Sequence, residues 1–131
     1  MFKIGQAFYA KAGALKDSIS YVKADSCFKL VTEKQPDFVL GHVYRARANA
    51  GMDPETKTGQ AKPFYEAVIT IADLDPVKNK ANLVEAHYYL AYLYFNQKDK
   101  AKALEHIDKV LGFEPENKNA QNLKKLIEKL V

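Results

Sequence analysis

The residues best suited to chemistry in this chain are three histidines, one cysteine and sixteen carboxylates. His42, His87 and His106 are far apart in sequence, and none stands in a metal-ligand spacing such as His-x-x-x-His. The chain has no glycine-rich phosphate loop and no Gly-x-Ser-x-Gly elbow. Its carboxylates have lysines nearby, which is typical of solvated helix surfaces. We therefore expect no catalytic residue, no metal and no cofactor, and we expect His87 to pack at a contact between helices.

The single cysteine, Cys27, lies in an apolar run with Phe28, Leu30 and Val31. A free cysteine in such a run usually behaves as a small buried hydrophobic residue, and no neighbour suggests an activated nucleophile. A lone cysteine cannot form an intramolecular disulfide, which mildly favours a reducing compartment. We expect a soluble protein, cytoplasmic by default, with export left open if a signal peptide was removed.

The composition is ordinary for a globular protein. The 131 residues are 47% hydrophobic and 27% charged, which suits one domain with a modest core. No apolar stretch approaches the roughly 18 residues that a membrane helix needs. The net charge is +4, but the 20 basic residues are scattered among 16 acidic ones, so we expect neither a membrane span nor a nucleic-acid-binding stripe.

An internal repeat organises the chain. Three segments share an alanine, a large apolar residue four positions later and a smaller apolar residue three positions after that: Ala24-Phe28-Val31, Ala61-Tyr65-Val68 and Ala103-Ile107-Val110. Spacings of four and three place all three members on one helical face. Pro36 and Pro115 stand at the same distance after their alanines and should end these helices.

An amphipathic stretch precedes each repeated segment. Together these patterns predict seven helices, at about residues 2–15, 19–34, 38–51, 58–73, 79–96, 100–113 and 117–130. The last has apolar residues only on one stripe, which is typical of an end helix that closes a stack. Met1 runs straight into the first repeat without such a cap, so we expect a fragment of a longer protein.

These units resemble tetratricopeptide repeats (TPR). The third fits best, with Leu90-Ala91-x-x-Tyr94 followed by Ala103, Ile107, Val110 and Pro115. The first two keep Ile4-Gly5-x-x-Phe8 and Leu40-Gly41-x-x-Tyr44 but are longer between their two halves. The resemblance implies an all-α, TPR-type α-α superhelix, a single domain of three helical hairpins (about 1–36, 37–76 and 79–115) plus an end helix at 117–130.

In that family the first helix of each hairpin lines a concave groove that holds a peptide or a partner helix. In the third hairpin Ala91 and Tyr94 should pack inward, and the groove residues would be Glu85, Tyr88, Tyr92 and Phe95. Aromatic side chains there would give a large apolar contact, although such a stripe is often part of a core instead. The chain is thus predicted to be a protein-binding module and not an enzyme.

The groove residues of the other two hairpins follow from the same register. Gln6 and Tyr9 are the candidates in the first. In the second, counting from Leu40-Gly41 selects His42, Arg45 and Asn49, whereas counting from Pro36 favours Val43 and Arg47. Arg45 could pair with a carboxylate of a partner.

Two other classes of function stay open. Helical repeats also bind single-stranded RNA, but they read bases with polar residues that the aromatic third unit does not supply. The chain could also be a structural spacer of a longer array, or a homo-oligomer that associates through its uncapped N-terminal repeat.

Overall fold

The computed structural model describes all 131 residues and contains seven helices and no strand, which confirms the all-α fold class. The helices are α1 (Phe2–Leu15), α2 (Ser18–Lys34), α3 (Val39–Gly51), α4 (Lys62–Ala72), α5 (Lys80–Asn96), α6 (Lys100–Phe113) and α7 (Lys118–Glu128). The chain forms two compact units, Met1–Ile71 and Ala72–Val131.

Side-chain caps and prolines set the ends of the repeated helices. The Asp17 carboxylate accepts a hydrogen bond from the Ile19 amide (3.0 Å), and the Asp99 carboxylate accepts one from the Lys102 amide (3.2 Å). These caps satisfy N–H groups that the first turn of a helix leaves without partners. α2 and α6 each end two residues before a proline, as the sequence predicts.

The fourth helix is shorter than predicted. It begins at Lys62, not near residue 58, because the preceding segment folds around Asp53. The Asp53 carboxylate accepts hydrogen bonds from the backbone amides of Lys57 (3.0 Å), Thr58 (3.1 Å) and Gly59 (2.8 Å). Gly59 takes a positive φ of 71°, which ends the loop before α4. The extra length of the second repeat therefore includes an ordered loop.

The first repeat accommodates its extra length differently. Only Lys16 and Asp17 separate α1 from α2, so the additional residues extend both helices. Lys16 adopts a left-handed conformation (φ 51°) that ends α1 tightly. The Phe8-to-Ala24 interval thus lengthens a helical pair, whereas the Tyr44-to-Ala61 interval extends α3 and adds the Asp53 loop.

An aromatic cluster fills the unit Met1–Ile71. Phe28 is fully buried beside Gly5, where a Cβ atom would stand 2.6 Å from the Phe28 Cε1 atom. Around Phe28 the rings pack mostly edge-to-face or tilted, at centroid distances of 5.2–5.8 Å, and the cluster comprises Phe2, Tyr9, Tyr21, Phe38 and Tyr44. Cys27 is buried, as predicted.

Aliphatic side chains fill the unit Ala72–Val131. α5 buries Leu83, Leu90 and Leu93, and α6 buries its repeated positions Ala103, Ile107 and Val110. α7 packs on α6 through Leu123 and Ile127. The Lys100 ammonium group donates to the carbonyls of Glu128 (3.1 Å) and Leu130 (3.1 Å), which caps the end of α7.

Candidate partner-binding surface

The helix α5 presents two different faces. Ala91 is fully buried and Tyr94 is 6% exposed, so both pack inward as predicted. Tyr92, one residue beyond Ala91, is 40% exposed, and Glu85, Tyr88 and Phe95 are half-buried. Positions 85, 88, 92 and 95 recur every three or four residues and therefore lie on one stripe of the helix.

The aromatic members of this stripe contact each other. The rings of Tyr92 and Phe95 lie 6.3 Å apart between centroids, at 46°. Burial raises the pKa of the Tyr88 hydroxyl, and the neighbouring Tyr92 hydroxyl raises it further, so Tyr88 stays a neutral hydrogen-bonding phenol at ordinary pH. A half-buried aromatic stripe with polar tips offers both apolar area and hydrogen bonds. We call residues Glu85, Tyr88, Tyr92 and Phe95 the α5 stripe.

A histidine, His87, lies on the buried side of α5, away from the α5 stripe. His87 is 6% exposed, and its Nδ1 atom stands 2.9 Å from the Nδ1 atom of His106 on α6. At this distance one ring donates its Nδ1 proton to the other. The His106 ring also stacks on Tyr94, 5.7 Å between centroids. His87 therefore packs at a helix–helix contact, as expected.

Charges around this histidine pair are mixed. Burial, and after it the adjacent His106, lowers the pKa of His87 to about 4. The carboxylates of Asp73 and Glu105 oppose this shift, and Lys109 adds to it. The His87 ring is thus neutral near pH 7. The sequence places the two histidines 19 residues apart, and only the antiparallel pairing of α5 with α6 brings them together.

The second repeat's candidates make contacts within the protein. The Arg45 Nε atom donates to the Asp25 carboxylate at 3.0 Å, and the Arg45 guanidinium lies over the Phe64 ring, 4.3 Å from its centroid. The Asn49 amide donates to the same Asp25 oxygen at 2.8 Å and accepts from Gln60 at 3.1 Å. This network joins α2, α3 and the loop before α4.

The candidates of the second repeat also differ in how accessible they are to a partner. Asn49 is 7% exposed, so it does not offer a contact surface. The His42 ring nitrogen Nε2 lies 2.8 Å from the Pro36 carbonyl, which ties the start of α3 to the preceding turn. In the alternative register, Val43 is buried, and Arg47 covers the Tyr44 ring at 4.9 Å. The polar residues that the sequence pattern assigned to a groove therefore include Arg45 and Asn49, which belong to an internal hydrogen-bond network.

The first repeat's candidates are half-buried. Tyr9 belongs to the aromatic cluster, with ring centroids 5.8 Å from those of Tyr21 and of Tyr44. Gln6 lies beside it on the same helix. Both are less exposed than Tyr92. Among the predicted groove residues, Tyr92 is the aromatic side chain that is exposed.

Neither a metal centre nor a membrane span is evident in the chain. No group of three or more histidine, cysteine, aspartate or glutamate side chains is arranged to hold a metal ion. No helix is long and apolar enough to cross a bilayer.

The fold and the comparisons together define the class of protein. The family model of the Fis1 C-terminal tetratricopeptide repeat matches residues 84–131, which comprise most of α5 together with α6 and α7. The signature positions of the third hairpin lie in that segment, and Ala91, Ala103, Ile107 and Val110 are fully buried there. The chain therefore has the fold of TPR-type helical-repeat proteins.

A solved structure supports this assignment along nearly the whole chain. The C-terminal part of the TPR repeat-containing protein from Cytophaga hutchinsonii is 41% identical to it, with a TM-score of 0.84. The match covers 93% of this chain and 45% of that chain, so the present sequence spans less than half the length of that structure. A search of curated proteins found no match.

Proposed function

We propose that this chain binds a peptide or a helix of another protein along the α5 stripe. TPR-type repeats commonly mediate protein–protein interaction, which makes binding the expected role of the fold. The observation that carries the proposal is the exposure of Tyr92 on a helix whose neighbouring position, Ala91, is fully buried. An aromatic side chain left accessible beside a closely packed position is suited to fill a pocket on a partner.

The stripe favours a partner with apolar side chains and few charges. Tyr88, Tyr92 and Phe95 supply aromatic surface, and Glu85 supplies one carboxylate. No lysine or arginine belongs to the stripe, so it does not suit a partner's terminal carboxylate. A short peptide with an apolar anchor, or one face of an amphipathic helix, fits this chemistry.

Peptide selection tests the proposal although the natural partner is unidentified. A random peptide library is selected against the wild-type chain, and the enriched peptide is titrated into isotope-labelled protein. We expect amide shifts centred on α5. Tyr92→Ala should weaken binding about 30-fold, as truncation of a hot spot worth about 2 kcal/mol does.

A matched control lies on α7. Leu126 is 49% exposed and outside the α5 stripe, so Leu126→Ala should leave the affinity unchanged. Shifts centred away from α5, equal affinity of the wild type and Tyr92→Ala, or failure to enrich any peptide would each contradict the proposal. In the last case a role as a spacer or self-association segment becomes the better hypothesis.

A further inference from the structure

A second apolar surface lies on the first helical pair. α1 and α2 contact each other, and both contact α3. Phe2 and Tyr9 of α1, and Phe28 of α2, contact the Tyr44 ring of α3. The sides of α1 and α2 that point away from Tyr44 carry large apolar residues that remain exposed: Met1 (57%), Ile4 (51%), Leu15 (65%), Ile19 (67%) and Leu30 (41%).

These residues form two adjacent stripes. Ile4, Lys11 and Leu15 lie on one face of α1, and Met1 immediately precedes that helix. Ile19 and Leu30 lie on one face of α2 together with Lys23 and Lys34. The Lys23 ammonium group lies over the Phe8 ring, 5.7 Å from its centroid, which joins the two helices midway along this side. We call this surface the α1–α2 face.

A recess opens at one end of the α1–α2 face. Its volume is about 210 Å³, and its lining includes Met1 from the start of α1 and Leu30 and Lys34 from the end of α2. A recess of this size accepts an apolar side chain of a docked element. The two antiparallel helices on either side form the kind of shallow groove in which a third helix packs.

The charge around this face is predominantly positive. Among residues 1–34 the exposed charged side chains are one glutamate, Glu33, and six lysines, Lys3, Lys11, Lys16, Lys23, Lys29 and Lys34. The two other carboxylates have partners: Asp17 caps α2, and Asp25 binds Arg45 and Asn49. The lysines therefore dominate the local field, which favours an acidic partner.

We propose that the α1–α2 face docks an amphipathic helix of another protein, whose apolar stripe is flanked by aspartate or glutamate. The apolar residues supply the buried contact, and Lys11, Lys23 and Lys34 pair with the carboxylates at its edges. A second copy of this face would bring the same lysines into opposition, which disfavours symmetric self-association. The concave recess favours a helix with protruding side chains over a flat lipid surface.

Two synthetic peptides test the charge requirement. Both are helical peptides of about 21 residues with leucine at the a and d heptad positions, and one carries glutamate and the other lysine at e and g. We expect the wild-type chain to bind the glutamate peptide at least about tenfold more tightly than the lysine peptide, with a preference that falls as salt rises. The titration is followed by calorimetry and by amide shifts of labelled protein.

Substitutions on α2 locate the binding surface. Leu30→Glu and Lys23→Glu should each weaken binding of the glutamate peptide about tenfold or more, because they place a negative charge under it. Val22 is 52% exposed on α2 but lies outside the two stripes, as does Lys29. Val22→Glu and Lys29→Glu are therefore matched controls that should change the affinity by no more than about twofold. Unchanged melting curves show that all four variants are folded.

Several results would overturn the proposal. Equal affinity for the two peptides would contradict the preference for an acidic partner. Equal effects of Leu30→Glu and Val22→Glu on the affinity would contradict binding at the α1–α2 face. A dimer in light scattering that Leu30→Glu abolishes would assign the face to a second copy. Co-sedimentation with phosphatidylserine vesicles that Leu30→Glu abolishes, without a preference for the glutamate peptide, would assign it to a membrane. Because this face involves no α5 residue, its failure leaves the binding proposal for the α5 stripe intact.

Discussion

The first and third helical hairpins solve the same packing problem with different pairs of side chains. In the first, Gly5 stands where α1 meets α2, and the fully buried Phe28 ring occupies the space that a Cβ atom would need. In the third, the corresponding signature positions hold Ala91 and Ile107, both fully buried. A smaller residue on one helix thus accompanies a larger one on the other, as close packing of interiors requires.

The two hairpins present different surfaces to solvent. In each, the following helix packs on the second helix of the pair: α3 on α2, and α7 on α6, where Leu123 and Ile127 are buried. The α1–α2 face combines exposed apolar residues with lysines. The α5–α6 hairpin instead presents aromatic residues along α5. Similar repeats can thus offer surfaces of different chemistry, because the residues outside the shared core positions are unconstrained by packing.

The largest expected effect comes from enlarging the small residue of the third hairpin. Ala91→Leu inserts three carbon atoms where no space is available, and overpacking of this kind should lower the free energy of unfolding by about 3 kcal/mol. Denaturant melts followed by circular dichroism measure the change. Ala101 is exposed on α6, so Ala101→Leu is the control and should shift stability by no more than about 0.5 kcal/mol. Equal effects of both variants would contradict close packing at Ala91.

The first hairpin should respond to a smaller change. Gly5→Ala places a methyl group 2.6 Å from the Phe28 ring, and we expect a net loss of about 1–2 kcal/mol despite the higher helix propensity of alanine. Phe28→Leu should relieve that clash. The double variant should therefore be more stable than the sum of the two single effects predicts, by about 1 kcal/mol. Additive effects in this double-mutant cycle would show that the two residues do not compensate for each other.

Acid should distinguish the two units. The His87 pKa is about 4 in the folded chain and 6.5 in an unfolded one, so the unfolded state binds a proton first as pH falls. The neutral His87 ring therefore contributes stability that is fully present above pH 6.5 and is lost between that value and about 4. With allowance for partial solvent screening, we expect a loss of about 1–2 kcal/mol between pH 7 and 5.

Hydrogen exchange of individual amides measures this loss separately in each unit. Amides of α5 and α6 should lose protection over that range, whereas those of α1 and α2 should not. His87→Gln should remove the pH dependence, and His42→Gln, in the other unit, should not. Uniform loss across the chain, or a dependence that survives His87→Gln, would contradict the assignment to this pair.

The Asp53 loop should resist acid to a lower pH. Burial alone would raise the pKa of the Asp53 carboxyl, but hydrogen bonds from the Gly59, Lys57 and Thr58 amides and the Thr58 side chain outweigh it and lower the pKa below 3.8. Its stabilising contribution is therefore present above the ordinary carboxyl pKa and is lost only as pH falls through the lowered value. The protection factor of the Gly59 amide should fall only below pH 3.8 in the wild type, after those of the α5–α6 amides. A fall already near pH 6 would contradict this order.

The spacing of apolar residues and prolines along the sequence predicted the helices. It did not predict the polar contacts between residues that are distant in sequence. The positions of Pro36 and Pro115 fixed the ends of α2 and α6, and the repeat signature correctly placed Ala91 and Tyr94 inside. The start of α4 was wrong because hydrogen bonds to Asp53, not hydrophobic periodicity, hold the preceding loop. Arg45 and Asn49 resembled groove residues because their partner, Asp25, lies on another helix, and no helical spacing reveals such a pairing.

The smallest expected effect concerns Tyr92. Its side chain is 40% exposed, so Tyr92→Ala should change the free energy of unfolding by no more than about 0.5 kcal/mol, although it follows Ala91 directly in sequence. Melts of Tyr92→Ala and Ala91→Leu under the same conditions compare an exposed position of α5 with the fully buried position next to it. A loss of stability in Tyr92→Ala equal to that of Ala91→Leu would make Tyr92 part of the core and remove it from the α5 stripe. A neutral result, together with weaker peptide binding, would separate the residues that hold this hairpin together from those that are free to contact a partner.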